Sequence, residues 1–166
     1  MTNIRIGTKT NLEPDGVHDL LIMGFPNGFP RGYVTFEITD TPRRITGVQK
    51  VVQVFLKTLM TTLGSDPIRP NAGTLFNDYI AGANIGSDIN ELKTSLREFV
   101  REAEIQSTRI LGTENRDLSS QLAKAEVMFV NVVQDSLTLG IKITTQAGSF
   151  ASISLPFPQT DLAINA

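Results

Sequence analysis

The residues of this chain that could do chemistry are its carboxylates, a single histidine and a glycine-containing loop. Their spacing argues against catalysis. Glycoside hydrolysis needs two carboxylates across a cleft, one kept protonated by burial and one ionised. Glu102 and Glu104 are two positions apart, so on a helix they point in different directions, and neither sits in an apolar pattern that would raise its pKa. Asp66 with Glu104 is a second pairing, with no sequence pattern behind it. His18 is the only histidine and has no serine or aspartate context for a triad, so it reads as a solvated turn residue. The loop GSDPIRPNAGT, residues 64–74, has no GxxxxGK sequence and carries prolines where phosphate-cradling amides would be wanted. The chain therefore reads as a non-enzyme, with no cofactor and no metal site.

Composition narrows the class further. With 166 residues and 40% hydrophobic content the chain can build one ordinary domain with a real core. Fifteen basic residues against seventeen acidic ones leave a net charge of −2, with no long run of either sign, so nothing steers toward nucleic acid. The absence of cysteine excludes disulfides and thiolate chemistry and fits a cytosolic fold. No stretch approaches the roughly 20 apolar residues that span a bilayer. The N-terminus MTNIRIGTKT has no hydrophobic region of signal-peptide type, and the chain is expected to be soluble, away from membranes.

The elements that must position these residues fall into two parts. Residues 1–44 are rich in Gly and Pro, with EPDG, GFPNGFPRG and DTPRR marking turns, and are expected to form an extended arm. Within it Leu20 to Met23 and Tyr33 to Ile38 are candidate strands. Phe25, Phe29 and Tyr33 either fold back on the core or insert into a neighbouring subunit. Residues 45–166 are expected to form an α+β domain. Val48, Val51, Val52, Phe55, Leu56, Leu59 and Leu63 recur at helical spacing. Thr46 and Gln49 suit a capping box at the start of that helix, and Gly64 suits its end. A short helix is expected over Leu75 to Ala81 after Gly73 and Thr74. A longer one, capped by Ser87 or Asp88, carries Ile89, Leu92, Leu96, Phe99, Val100 and Ala103 on one face.

From Glu126 the period changes to two. Val127, Phe129, Leu137, Leu139, Ile141, Ile143, Ile153 and Leu155 mark three strands of an antiparallel meander, with turns near Gln134 to Ser136 and Ala147 to Ser149. Met128, Val130 and Val132 make the first strand apolar on its other face as well. It is therefore expected either to be central in its sheet or to be covered by a partner.

With these pieces in order, residues 45 to 157 resemble the baseplate wedge protein of contractile phage tails. This is the sheath-initiator family, which has a counterpart in the type VI secretion baseplate. The run ITGVQKVVQVFLKTLMTTLGSDPIRPNAGTLF is similar to the family pattern of a helix ending in a leucine and threonine turn, then Gly, a polar pair, Pro and Gly; Leu59, Thr61, Gly64, Pro70 and Gly73 occupy those positions. Where the family has Glu-Pro-Arg before its terminal strands, this chain reads Ser107, Thr108, Arg109, Ile110, so the arginine and the apolar residue after it match. Gly112 to Lys124 looks like an insertion relative to the family.

The resemblance implies a structural part of the virion tail baseplate, made in the host cytoplasm, that bundles with other baseplate wedge subunits. It also implies contact with the tail sheath protein, to which terminal strands are offered by β-augmentation, and with tube or hub proteins. A lysozyme-like activity has been suggested for such proteins. The interface residues it points to here are Arg69, Pro70, Gly73, Arg109, Val127, Phe129, Leu139, Ile141 and Ile153. Arg69 reads alternatively as a solvated loop charge. Arg109 reads alternatively as a cation favoured by a helix C-terminus. A tail or head completion or adaptor protein without sheath contact is the alternative function.

Overall fold

In a computed structural model of the protein, residues 5–6, 19–20, 23–24, 35–36, 44–82, 89–114, 117–133 and 136–158 are described. Phe25, Phe29, Tyr33 and His18 lie outside them, as do the expected cap at Ser87 or Asp88 and the turn residues 134–135. In the N-terminal part, β1 (Arg5–Ile6), β2 (Asp19–Leu20), β3 (Met23–Gly24), β4 (Thr35–Phe36) and β5 (Arg44–Ile45) are two-residue strands. β2 pairs with β5 and β3 with β4, which puts strand structure inside both predicted segments.

Three helices follow, α1 (Gly47–Met60), α2 (Phe76–Gly82) and α3 (Ile89–Glu114), then β6 (Leu122–Val133), β7 (Ser136–Thr145) and β8 (Phe150–Pro158). The last three strands form the expected antiparallel sheet, and β1 adds to the far side of β8, giving the order β1-β8-β7-β6. The chain is thus α+β. Both long helices lie on one face of the sheet, α1 over β7 and β8 and α3 along β6.

The core is where those layers meet. Val51, Phe55, Leu56 and Leu59 of α1 and Leu92, Leu96, Val100 and Ala103 of α3 bury the stripes their spacing predicts. They face Leu137, Leu139, Ile141 and Ile143 of β7 and Ile153 and Leu155 of β8. Phe76 anchors α2 edge-on between Phe99 and Phe157, at centroid distances of 6.3 and 5.3 Å. The opposite face of the sheet is largely polar, as expected of an antiparallel sheet covered on one side.

Several expectations about boundaries are corrected. α1 stops at Met60, short of Gly64, because Thr61 turns extended and pairs elsewhere: Thr74 N donates to Thr61 O at 2.8 Å and Leu63 N to Thr74 O at 3.0 Å. Leu63 is therefore 40% exposed and not part of the stripe. Gly64 does adopt a left-handed φ of 82°, but in the turn beyond the helix. Thr46 is the N-cap by backbone, yet its side chain makes no capping bond. A distant residue does that work, since Gly47 N donates to Ser120 Oγ at 3.1 Å.

The supposed insertion Gly112 to Lys124 divides among three elements. It supplies the last turn of α3, a 3-10 turn at Leu118–Ser120, and the first residues of β6, which starts at Leu122, earlier than Glu126. That 3-10 turn is welded to the β7–β8 hairpin, where Gln146 N donates to Gln121 O and Ala147 N to Leu118 O. Ile89, expected on the buried face of α3, is exposed at its first turn.

Candidate assembly surfaces

The loop between α1 and α2 is held at both ends by a web of polar contacts. Asp66 makes an Asx turn: its carboxylate accepts from Ile68 N at 2.9 Å and Arg69 N at 3.2 Å, and it pairs with Arg69 Nε at 3.1 Å. These bonds, led by the one from the Ile68 amide, hold its carboxyl below the usual carboxylate range. Arg69 is an exposed loop charge that pairs with Asp66 inside its own loop. Pro70 is exposed, and Ile68 beside it is 88% exposed, an apolar side chain at the tip of a stiff turn.

Gly73 is buried in the base of the same loop. It takes a φ of 98°, and its N–H donates to Gln106 Oε1 at 2.9 Å while Gln106 Nε2 returns a bond to its carbonyl at 2.7 Å. The side-chain amide of α3 thereby grips the loop backbone as a neighbouring strand would. Thr74 Oγ1 donates to Leu59 O and accepts from Phe76 N, and Asn77 Nδ2 donates to Met60 O. The end of α1 and the start of α2 are satisfied together.

Arg109 is exposed on α3, three residues beyond Gln106 and next to the exposed Ile105 stripe. Because α3 continues to Glu114 and has no basic residue in its last turn, the helix-terminus reading of Arg109 is corrected. Ser107, where the family motif has its carboxylate, is fully buried on the core face, its hydroxyl without a hydrogen-bond partner among the described residues.

The sheet explains the two-faced appearance of its first strand. β6 is terminal in the sheet, so the expectation of a central strand does not hold for the described residues. Its register against β7 shifts at Ala123 and again at Met128, where Val127 faces Ile141 but Phe129 faces Gly140. Each extra residue swaps the faces. Val127, Val130 and Val132 consequently lie against the core, and Phe129 lies on the open face with Lys124 and Glu126. Its ring covers Gly140, where a β-carbon would meet the ring atoms. Leu139, Ile141 and Ile153 are buried in the chain's own core and lie in the β7–β8 ladder, so they offer a partner no side-chain surface.

Two of the carboxylates singled out for hydrolysis, Glu104 and Asp66, have other partners. Glu104 Oε2 accepts from Ala125 N of β6 at 2.7 Å, and Asp66 is engaged within its loop. This contact between Glu104 and a strand backbone has no signal in the sequence, since it depends on α3 lying beside β6. Among the described residues no group of His, Cys, Asp or Glu is arranged to hold a metal ion, and no helix is long and apolar enough to cross a membrane.

This geometry defines an α+β module whose notable surfaces are a stiff loop, an exposed helix stripe and a sheet margin. No family model matches the sequence, and no curated protein matches it. Among solved structures the chain is similar to a candidate tail lysozyme from Geobacter sulfurreducens. The two are 17% identical, with a TM-score of 0.45, over 69% of this chain and 93% of that one.

Proposed function

We propose that the chain is a structural component of a contractile phage tail baseplate. In this reading residues 45–166 join the helical bundle of the wedge and template the first sheath ring by strand addition, with residues 1–44 as an arm. The observation that carries the reading is the terminal position of β6, a twelve-residue strand that ends a three-stranded meander next to two bundled helices. A strand at the margin of a sheet is a hazard in a free protein and a template in an assembly. Helix, loop, helix and meander follow in the order of the wedge family, and the run from Ile45 to Phe76 carries its pattern. Arg109 and Ile105 on the outer stripe of α3 would meet the wedge subunits, with tube or hub proteins as further neighbours.

The test is co-expression with the wedge and sheath subunits of the same genome. Co-purification in a stoichiometric complex is expected, and its absence with both subunits would sink the reading. A second reading, an adaptor that contacts a partner without the sheath, is favoured by Ile68, because an exposed isoleucine on a braced loop suits a small apolar pocket. Ile68→Asp separates the two. It would abolish binding in the adaptor reading and leave sheath contact intact in the first.

A further inference from the structure

Asp66 is followed by Pro67, and this is the single Asp–Pro pair in the chain. A carboxyl group carried on a β-carbon can close a five-membered ring on the main-chain carbonyl carbon of its own residue. Tethering makes such an attack far faster than the same reaction between separate molecules. The group it would expel here is the nitrogen of Pro67. That nitrogen belongs to a tertiary amide, carries no N–H, and takes up a proton more readily than an ordinary peptide nitrogen. The pair therefore combines a built-in nucleophile with a good leaving group.

In the folded loop the nucleophile is committed elsewhere. Asp66 Oδ1 accepts from Ile68 N and Arg69 N, and Oδ2 accepts from Arg69 Nε. All three donors lie beyond the Asp66–Pro67 bond and favour the ionised carboxylate, and Arg69 is the charged group that faces it among the described residues. An oxygen that bonds to carbon gives up its negative charge, so closing the ring means losing these contacts. Pro67 is exposed, so water and acid reach the bond. The parts on either side of it are held together independently. Thr74 Oγ1 donates to Leu59 O, Asn77 Nδ2 donates to Met60 O, and the α1 stripe is packed into the common core.

We propose that Asp66–Pro67 is a latent self-cleavage site and that the turn closed by Ile68 and Arg69 restrains it. The protonated side-chain carboxyl of Asp66 adds through oxygen to the Asp66 carbonyl carbon, and the bond from that carbon to Pro67 N breaks. The carboxyl proton goes to the departing nitrogen, which leaves as a secondary amine, and Asp66 is left as a cyclic anhydride. Water then opens the anhydride to two carboxyl groups, and nothing is oxidised or reduced. Acid promotes the step because the reacting carboxyl must carry a proton. Arg69 is a positioning residue that holds the carboxylate ionised and turned to its own donors. The products, residues 1–66 and 67–166, stay together as a folded pair, with α1 in the first and α2, α3 and the meander in the second.

Intact-mass spectrometry of the full chain held at about pH 4 tests this, with circular dichroism to follow its folding and a parallel sample in urea. The fragments ending at Asp66 and beginning at Pro67 are expected to form at least about tenfold faster in urea than in the folded protein. Asp66→Ala is expected to yield neither. Arg69→Ala should cleave at least about threefold faster than the wild type when folded, and at the wild-type rate in urea. That contrast separates restraint by the turn from a change in the bond itself. Cleaved protein is expected to elute as one species in size-exclusion chromatography and as two in urea. Equal rates in urea and in the folded protein, a folded Arg69→Ala no faster than the wild type, or no cleavage after Asp66 in urea would each overturn the proposal. Should Arg69→Ala unfold at that pH, the wild-type comparison between buffer and urea decides.

Discussion

Replacing Gly73 by alanine is the sharpest single perturbation available. Its φ of 98° lies in the left-handed region, where a side chain costs about 1–2 kcal/mol. An added β-carbon would also fall inside the van der Waals contact of the Thr61 carbonyl oxygen and close to its carbon and methyl group. Backbone cannot swing aside as a side-chain tip can, so the strand-like contact between Thr61 and Thr74 must open, and the two Gln106 bonds to Gly73 must lengthen. Each of those bonds contributes about 0.5–1.5 kcal/mol. Together with the backbone strain, the expected destabilisation is about 3–6 kcal/mol. For a chain of this size that lowers the melting temperature by about 6–24 °C.

Urea unfolding followed by circular dichroism measures it. Gly73→Asn serves as a control, because asparagine tolerates the left-handed region but still carries the β-carbon, so it should not rescue. Gln106→Ala alone should cost about 1–3 kcal/mol. Combined with Gly73→Ala it should add less than that, since both remove the same clamp. A Gly73→Ala variant within about 1 kcal/mol of the wild type would refute the argument that close approach, and not merely turn preference, fixes glycine there.

Other outcomes follow from the same structure. Phe55→Ala, in a site with no exposure, should cost about 3–5 kcal/mol by thermal denaturation. Asp117 is held below its ordinary value of 3.8, first by the Ser119 hydroxyl and then by the Ser119 amide and Ser120. Its folded pKa is depressed, so its contribution is present above 3.8 and is lost as pH falls through the folded value. Asp117→Asn should flatten the acid limb of a stability-against-pH curve, and an unchanged limb would contradict the geometry. Gly140→Ala should push the Phe129 ring off the sheet at a cost of about 0.2–1 kcal/mol, visible as loss of ring-current shifts at residue 140 in NMR spectra.

What the sequence makes legible depends on distance along the chain. The stripes of α1 and α3, α2 and the three-stranded meander are written in local periodicity, which is why Phe55, Leu96 and Ile141 fall where expected. Boundaries set by remote groups are not. The start of α1 depends on Ser120, its end on Thr74, and the grip on Gly73 on Gln106. Period counting also fails across a bulge: one extra residue at Met128 made Phe129 and Val127 look like neighbours on one face. Among the candidate interface residues, Arg69, Pro70 and Arg109 reach the surface as loop and helix positions should. Leu139, Ile141 and Ile153 do not, because strong alternation marks burial in general and does not say whose atoms cover it.

The hydroxyl of Ser120 that receives the first amide of α1 lies 73 positions downstream of it. A ribosome adding about 5–20 residues per second needs several seconds to travel that interval, and longer to deliver β7 and β8. During that time α1 has emerged with Phe55 and Leu59 but without the sheet that shelters them. The nascent chain therefore passes through a window in which the apolar face of its first helix has no sheet to cover it, and that window closes only once β7 and β8 have been made.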